Sequence, residues 1–205
     1  MSSRKHTIGV IGSSECGKST FLHKLLNPPY ARRGPTIGFD ILTLDERNLF
    51  YDFSGRPAFR FLIDKYVNTC DSFLLCYDIS SAASLTYLDE LVASKIEMVK
   101  PTILVGLKKD LLCDITEKRL GHFMEKYHLD YHCRVSALGS TGLEGFTTVL
   151  DQVCKFSPPP VNNLDQKANK MSPLLLGAPA YGRRPGRKRT SYCDQLRAFW
   201  ASSSR

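Results

Sequence analysis

The residues best equipped for chemistry lie near the amino terminus, in a glycine-bearing loop over residues 12–20, the phosphate loop. The loop has the spacing Gly-x-x-x-x-Gly-Lys-Ser, follows an apolar run over 7–11 and precedes apolar residues at helical spacing. In a strand–loop–helix context, backbone N–H groups at a helix N-terminus bind phosphate. We expect Lys18 to place its ammonium against the outer phosphates and Ser19 to offer its hydroxyl to Mg²⁺. The candidate binding residues are Gly12, Ser13, Ser14, Glu15, Cys16, Gly17, Lys18, Ser19 and Thr20.

A second candidate element follows a predicted strand over 49–53, where Asp52 is followed three positions later by Gly55. A carboxylate at a strand end can hold Mg²⁺ through water, and a nearby glycine N–H can reach a terminal phosphate. We therefore expect Asp52 on the metal side of the site and Gly55 against the terminal phosphate.

Apolar periodicity predicts the elements that position these residues. Strands are predicted at 7–11, 41–44, 49–53, 72–79, 102–107 and 131–135, and helices around 21–26, 59–66, 85–96, 120–127 and 143–153. The runs over 72–79 and 102–107 are too uniformly apolar for surface strands and indicate buried parallel strands. Strands that alternate with helices predict a doubly wound α/β fold, with a mostly parallel sheet and its sites at the carboxyl ends of the strands.

The positive charge of the chain is concentrated at its carboxyl end. The sequence has 28 Lys and Arg against 20 Asp and Glu, a net charge of +8. Residues 157–205 hold 9 of the basic and 2 of the acidic residues, so they carry +7 and leave +1 for residues 1–156. We predict a globular domain over 1–156 and a proline-containing, basic, disordered tail over 157–205. Nucleic acid is not indicated as a partner of the domain.

The cysteines and the termini bear on location. Seven cysteines without zinc-like spacing, and no secretory signal, predict reduced thiols in the cytoplasm or nucleus and a protein that is not secreted. The basic cluster over 183–189 is compatible with weak contact to an anionic membrane, with nuclear localisation, or with a solvated tail. The last residues match no prenylation box. His128 and His132 are spaced i, i+4, but we expect no metal site there.

Further motifs resemble those of the Ras-like small GTPases over residues 6 to about 156. Residues 35–39, Pro-Thr-Ile-Gly-Phe, resemble the first switch of Rab-type and Arf-type proteins, in which Thr36 would sense Mg²⁺ and the γ-phosphate. Asp52-x-x-Gly55 resembles the start of the second switch, and residues 76–80 look more Rab-like than Arf-like. The resemblance implies a small G domain that binds GTP or GDP with Mg²⁺ held by Ser19, Thr36 and Asp52. It also implies a molecular switch in membrane traffic or signalling.

Two later segments resemble the family's guanine-binding motifs. Residues 107–110, Leu-Lys-Lys-Asp, resemble the Asn-Lys-x-Asp motif, and Ser136, Ala137 and Leu138 resemble the loop whose backbone N–H meets the guanine carbonyl. The Asp110 carboxylate can accept hydrogen bonds from the ring N–H and the exocyclic amine of guanine, a pair of donors that adenine lacks. Lys108 would lay its methylene stem along the base.

The chain departs from the family pattern at three positions. Leu107 stands where the family has Asn, and the loss of its polar links is expected to weaken nucleotide binding by about 1–3 kcal/mol. Arg56 stands where the family has the Gln that orients the attacking water, and a guanidinium cannot accept a hydrogen bond. Glu15 brings a carboxylate close to the phosphates unless it points outward. Of the candidate catalytic residues Thr36, Gly55 and Arg56, the last predicts slow or absent hydrolysis, although Arg56 could instead donate to a phosphate oxygen.

The resemblance also implies partners and leaves two alternatives open. We expect a monomer that acts through an effector protein, with exchange or GTPase-activating proteins as further partners. The alternative is a pseudo-GTPase scaffold that cycles nucleotide weakly or not at all, which the three departures favour. A P-loop nucleotide kinase is a third interpretation, against which Asp110 and Ser136-Ala137 argue.

Overall fold

The computed structural model describes residues 5–26, 34–95 and 100–156. The tail over 157–205, its basic cluster and Cys193 lie outside the described residues. The domain boundary after residue 156 and the roles suggested for the tail therefore stay predictions. Within the described ranges, no helix combines the length and apolarity that crossing a bilayer requires.

The core of the structure is a six-stranded sheet. Its strands are β1 (His6–Gly12), β2 (Phe39–Thr43), β3 (Asn48–Phe53), β4 (Ser72–Asp78), β5 (Thr102–Leu107) and β6 (Tyr131–Arg134). They lie in the order β2-β3-β1-β4-β5-β6, and every neighbouring pair is parallel except β2 with β3. This arrangement confirms the predicted doubly wound α/β fold. All residues of β4 and β5 are buried, which explains why these strands are apolar apart from Ser72, Asp78 and Thr102 at their ends.

In the ranges given above, five α-helices cover the two faces of the sheet. They are α1 (Lys18–Leu25), α2 (Arg60–Tyr66), α3 (Ala82–Lys95), α4 (Glu117–Lys126) and α5 (Leu143–Phe156). Helices α1 and α5 share one apolar cluster. In it the rings of Phe21 and Phe146 pack edge to face, with their centroids 4.9 Å apart. The other cluster contains residues of α2, α3 and α4, among them Ile63, Leu88 and Phe123. The apolar stripes predicted for these helices therefore face the sheet.

The segment after β3 is more broken than the sequence predicted. A single short helix was expected over 59–66, whereas the chain forms a 3₁₀ turn at Pro57–Phe59, then α2, then a second 3₁₀ turn at Val67–Thr69. Pro57 occupies the first turn, where its missing N–H costs nothing. The predicted turn between β2 and β3 is closed by the Asp45 carboxylate, which accepts hydrogen bonds from the backbone N–H groups of Arg47 and Asn48.

The strand order reverses at β1. β3 lies on one side of β1 and β4 lies on the other. The connections to these two strands therefore run in opposite directions, which leaves a crevice at the carboxyl end of β1. Ligands of open α/β sheets bind in the crevice at such a point. The phosphate loop follows β1 and lies there.

Candidate functional site

The phosphate loop joins β1 to α1 and turns at a glycine. Gly17 is the N-cap of α1 with a φ of +102°, in the left-handed region that a residue without Cβ adopts freely. Lys18 is 6% exposed, and its Nζ donates to the carbonyl oxygens of Gly12 at 3.0 Å and Ser13 at 2.8 Å. The loop therefore holds its lysine ammonium inward, beside the N-terminus of the helix.

Two other residues of the loop differ in burial. Cys16 is 1% exposed, and its Sγ lies 3.8 Å from the carbonyl oxygen of Cys76, so it fills space behind the loop. Glu15 is exposed, has a φ of +62° and is among the residues that line the cavity described below. Whether its charge disfavours phosphate therefore stays a prediction.

Three oxygen-bearing side chains converge beside the loop. Ser19 Oγ donates to Asp52 Oδ2 at 2.5 Å and lies 2.9 Å from Thr36 Oγ1. The three residues come from α1, β3 and the segment before β2, so only the fold brings them together. They are the three predicted metal ligands.

Asp52 is an unusual residue for the interior. It is 1% exposed, and its Oδ1 has no hydrogen-bond partner among the described residues. Burial raises the pKa of Asp52 above its ordinary value, against the opposing effects of the Ser19 hydrogen bond and the positive charge of Lys18. An orphaned carboxylate oxygen next to two hydroxyls is an oxygen-rich donor set of the kind that Mg²⁺ prefers. The residues present therefore fit the metal implied by the resemblance.

Gly55 lies directly against the phosphate loop. A Cβ built on Gly55 would lie 2.2 Å from the backbone nitrogen of Ser14 and 2.5 Å from the carbonyl oxygen of Ser13, well inside van der Waals contact. The preceding residue, Ser54, donates its backbone N–H to the carbonyl oxygen of Gly38 at 2.9 Å. The two segments that resemble switches are thus connected by a hydrogen bond next to the phosphate loop.

These elements surround one open cavity of about 390 Å³. Its walls include the phosphate loop, Thr36, Gly55 and the exposed Arg56. His23, one helical turn beyond Ser19, also lines it, and the sequence analysis did not anticipate this position. The cavity gathers the phosphate and metal candidates. The guanine-binding candidates lie outside its lining.

The predicted guanine-binding residues nevertheless lie together. Asp110 Oδ1 accepts a hydrogen bond from Ser136 Oγ, and Ser136 is fully buried. The backbone N–H of Lys109 donates to the carbonyl oxygen of Val135 at 3.1 Å. The loop over residues 108–111, here called the base loop, is therefore joined to the loop over 136–140, in which Ala137 is half-buried and Leu138 is 78% exposed.

The end of β5, just before the base loop, also approaches the phosphate loop, but with an apolar side chain. Leu107 is 2% exposed, and its Cδ1 lies 3.9 Å from the position that a Cβ would take on Gly17. The residue that departs from the family pattern therefore packs in the core where a polar link was expected.

One residue of this region received no role in the sequence analysis. Asp78, the last residue of β4, accepts a hydrogen bond from Lys108 Nζ on its Oδ2 at 2.7 Å. Its position at the end of a buried strand beside the base loop is the feature that could have drawn attention to it. The pairing itself depends on the register of β4 with β5, in which Asp78 lies beside Leu107.

The histidine pair takes part in separate contacts. His132 Nε2 lies 2.9 Å from the Tyr77 hydroxyl, and His128 ends the turn after α4 with a φ of +53°. In the ranges that the structure describes, no group of three His, Cys, Asp or Glu side chains is placed to hold a metal ion. The described cysteines are free thiols.

The fold and the site define a P-loop nucleotide-binding protein with a doubly wound sheet. A comparison with protein families matches the model of the Ras family over residues 7–155. The chain belongs to this family as a divergent member of the Ras-like small GTPases. Proteins of the family in general bind GTP or GDP with Mg²⁺ and interact with effectors, exchange factors and GTPase-activating proteins.

Individual relatives are distant and come from several branches of the family. The chain is 29% identical to Ras-related protein RABC1 of Arabidopsis thaliana, over 49% of this chain and 53% of that protein. It is 25% identical to Ras-related protein Rab-27B of Rattus norvegicus, over 71% and 78% of the two chains. It is 27% identical to ADP-ribosylation factor F of Dictyostelium discoideum, over 72% and 85%. The match to RABC1 thus spans about half of that protein.

Proposed function

We propose that the protein is a guanine-nucleotide-dependent switch that binds GTP and GDP with Mg²⁺ and hydrolyses GTP slowly or not at all. The observation that carries the proposal is the cluster of Ser19, Thr36 and Asp52 oxygens beside the phosphate loop, with a buried Asp52 oxygen left unpartnered. Membership of the Ras family favours this interpretation over a nucleotide kinase.

Each part of the site has a role in binding. Lys18 and the backbone N–H groups of the phosphate loop attract the phosphates, and Asp110 selects guanine by accepting from its two adjacent donors. Ser19, Thr36 and Asp52 would hold Mg²⁺, and the bound ion would offset the negative charge of the phosphates.

The terminal phosphate controls the two switch segments. Thr36 and Gly55 lie on different segments that meet at the cavity, and a γ-phosphate there would order both. Hydrolysis requires a water molecule to attack the γ-phosphorus while the bond to the GDP oxygen breaks. Arg56 lines the cavity but cannot accept a hydrogen bond from that water, so we expect the unassisted step to be slow.

We expect an effector protein to bind the GTP-bound form, in which the switch segments are ordered. Large apolar side chains are exposed on both switch segments, with Ile37 77% exposed beside Thr36 and Phe61 59% exposed on α2. Ile41 on β2 is 57% exposed. Exposed apolar groups near the segments that the γ-phosphate orders support a nucleotide-dependent contact with another protein.

The second candidate is a pseudo-GTPase scaffold, which Leu107 and Arg56 favour. One sample separates the two functions: purified, nucleotide-stripped full-length protein titrated with fluorescent GDP, GTP and ADP, followed by single-turnover hydrolysis. Sub-micromolar binding that prefers guanine supports the switch, and an Asp110→Ala variant should lose the preference for guanine over adenine. Guanine-nucleotide binding weaker than about 10 μM, roughly −7 kcal/mol, would refute the switch.

A further inference from the structure

A partly buried ion pair connects the end of β4 to the base loop. Lys108 Nζ lies 2.7 Å from Asp78 Oδ2, and the two side chains are 35% and 10% exposed. Ion pairs at this degree of burial are screened less by solvent than surface pairs. The contact can therefore restrain the Lys108 side chain, which the resemblance to the small GTPases places along the base.

Asp78 is also held in place by hydrogen bonds that do not involve Lys108. Its Oδ1 accepts hydrogen bonds from the backbone N–H of Ser80 at 2.9 Å and from Ser80 Oγ at 2.7 Å. Its own N–H donates to Ser84 Oγ at 2.9 Å. Burial alone would raise the pKa of Asp78, but the hydrogen bonds from Lys108 and Ser80 outweigh it and hold the pKa below its ordinary value. The carboxylate is therefore ionised at neutral pH.

Lys108 reaches from Asp78 across the phosphate loop. Its backbone has a φ of +61°, an uncommon conformation for a residue with a side chain. Its Cε and Cγ lie 3.8 and 4.0 Å from the position that a Cβ would take on Gly17. The stem of this side chain therefore passes beside Gly17 of the phosphate loop, and its ammonium pairs with a carboxylate of β4.

We propose that Asp78 is a positioning residue for guanine-nucleotide binding: it holds the Lys108 side chain across Gly17 and so fixes the base loop against the phosphate loop. The inference rests on the proposed function, because it assumes that these two loops bind one guanine nucleotide. In this proposal the ion pair of Asp78 with Lys108 holds the two loops together by a polar interaction. The neighbouring Leu107 side chain can add only apolar packing. Loss of the carboxylate should loosen the base loop and accelerate nucleotide release.

The test compares Asp78→Asn with a matched control. The control is Asp89→Asn, which removes a carboxylate that pairs with Lys126 between α3 and α4. That pair has the same distance, 2.7 Å, but its side chains are 42% and 43% exposed. The release of fluorescent GDP from the full chain is measured by displacement with excess GDP. We expect release from Asp78→Asn to be about tenfold faster than from wild type, and release from Asp89→Asn to be unchanged.

A second variant distinguishes positioning from a general loss of stability. Lys108→Met keeps the methylene stem and removes the charge. If Asp78 acts through Lys108, the double variant Asp78→Asn/Lys108→Met releases GDP no faster than the faster single variant. A role for Asp78 unconnected with Lys108 would instead multiply the two effects.

The outcomes are separable. If wild type binds GDP but Asp78→Asn releases it at the wild-type rate, or if the two effects multiply, the positioning role is wrong and the proposed function stands. If wild type binds no guanine nucleotide, both are overturned. If Asp78→Asn does not fold, Lys108→Met decides: faster release supports the role of the ion pair, and an unchanged rate contradicts it.

Discussion

Leu107 lies beside Gly17, so β5 faces the phosphate loop with a leucine side chain whose Cδ1 lies 3.9 Å from the position that a Cβ would take on that glycine. The relatives that this chain resembles are expected to have an asparagine there, which links the base and the phosphate loop by hydrogen bonds. Leu107 is 2% exposed, so it stabilises the nucleotide-free fold by burial. The substitution therefore exchanges a contact with ligand for a contact within the core.

We predict that Leu107→Asn reverses this exchange. GDP should bind more tightly, by about 1–3 kcal/mol, because the amide regains partners when nucleotide is present. The nucleotide-free protein should melt at a lower temperature, because the amide is then buried where Leu107 packed. Fluorescent GDP titration and thermal melts of the stripped protein check both effects. Leu107→Ala is the control, with lower stability and no gain in affinity; equal or weaker GDP binding by Leu107→Asn would contradict the prediction.

The second prediction concerns Arg56, which lines the cavity beside Gly55. Arg56→Gln supplies an acceptor and a donor where the guanidinium offers only donors. Single-turnover hydrolysis of bound GTP should accelerate at least about tenfold. Arg56→Met removes the charge without adding an acceptor and should stay slow. A fall in rate for both variants would instead show that Arg56 donates to a phosphate oxygen.

The sequence predicted those parts of the fold and site that depend on local pattern. The mainly apolar runs over 72–79 and 102–107 identified two buried strands to within one residue, because such runs are too short for a typical helix and too apolar for a surface strand. The phosphate loop was recognisable for a similar reason, since its glycines, lysine and serine are close in the sequence.

The contacts between distant segments could not be predicted in this way. The pairing of Asp78 with Lys108 spans 30 positions and depends on the register in which β4 and β5 lie. The inward packing of Leu107 depends on how closely β5 approaches Gly17. A single sequence contains neither the register nor the spacing, so these roles required the three-dimensional structure.

The third prediction uses the close approach of Gly55 to the phosphate loop. In Gly55→Ala the new methyl group would clash with the backbone of Ser13 and Ser14. Relieving that clash should lower the free energy of unfolding by about 1–3 kcal/mol. Because Gly55 is expected to contact the terminal phosphate, GTP binding should weaken more than GDP binding. Parallel titrations with the two nucleotides measure the difference. Gly121→Ala on α4, where a Cβ meets nothing within 4 Å, is the control and should leave both affinities unchanged; equal losses for GTP and GDP in Gly55→Ala would argue against the contact.

The last prediction concerns His132, whose Nε2 lies 2.9 Å from the Tyr77 hydroxyl. Burial, aided by the positive charge of Arg134 and opposed by Glu117, lowers the pKa of His132 below the ordinary 6.5. The unfolded chain therefore binds a proton more readily than the folded one, and stability should fall as the pH drops below about 6.5. Thermal melts between about pH 8 and pH 5.5 measure this loss of stability, which should be smaller in His132→Gln. The control is His122→Gln, a change at an exposed position on α4, in which the loss should persist. If the two variants lose stability in parallel, the acid sensitivity belongs to other groups.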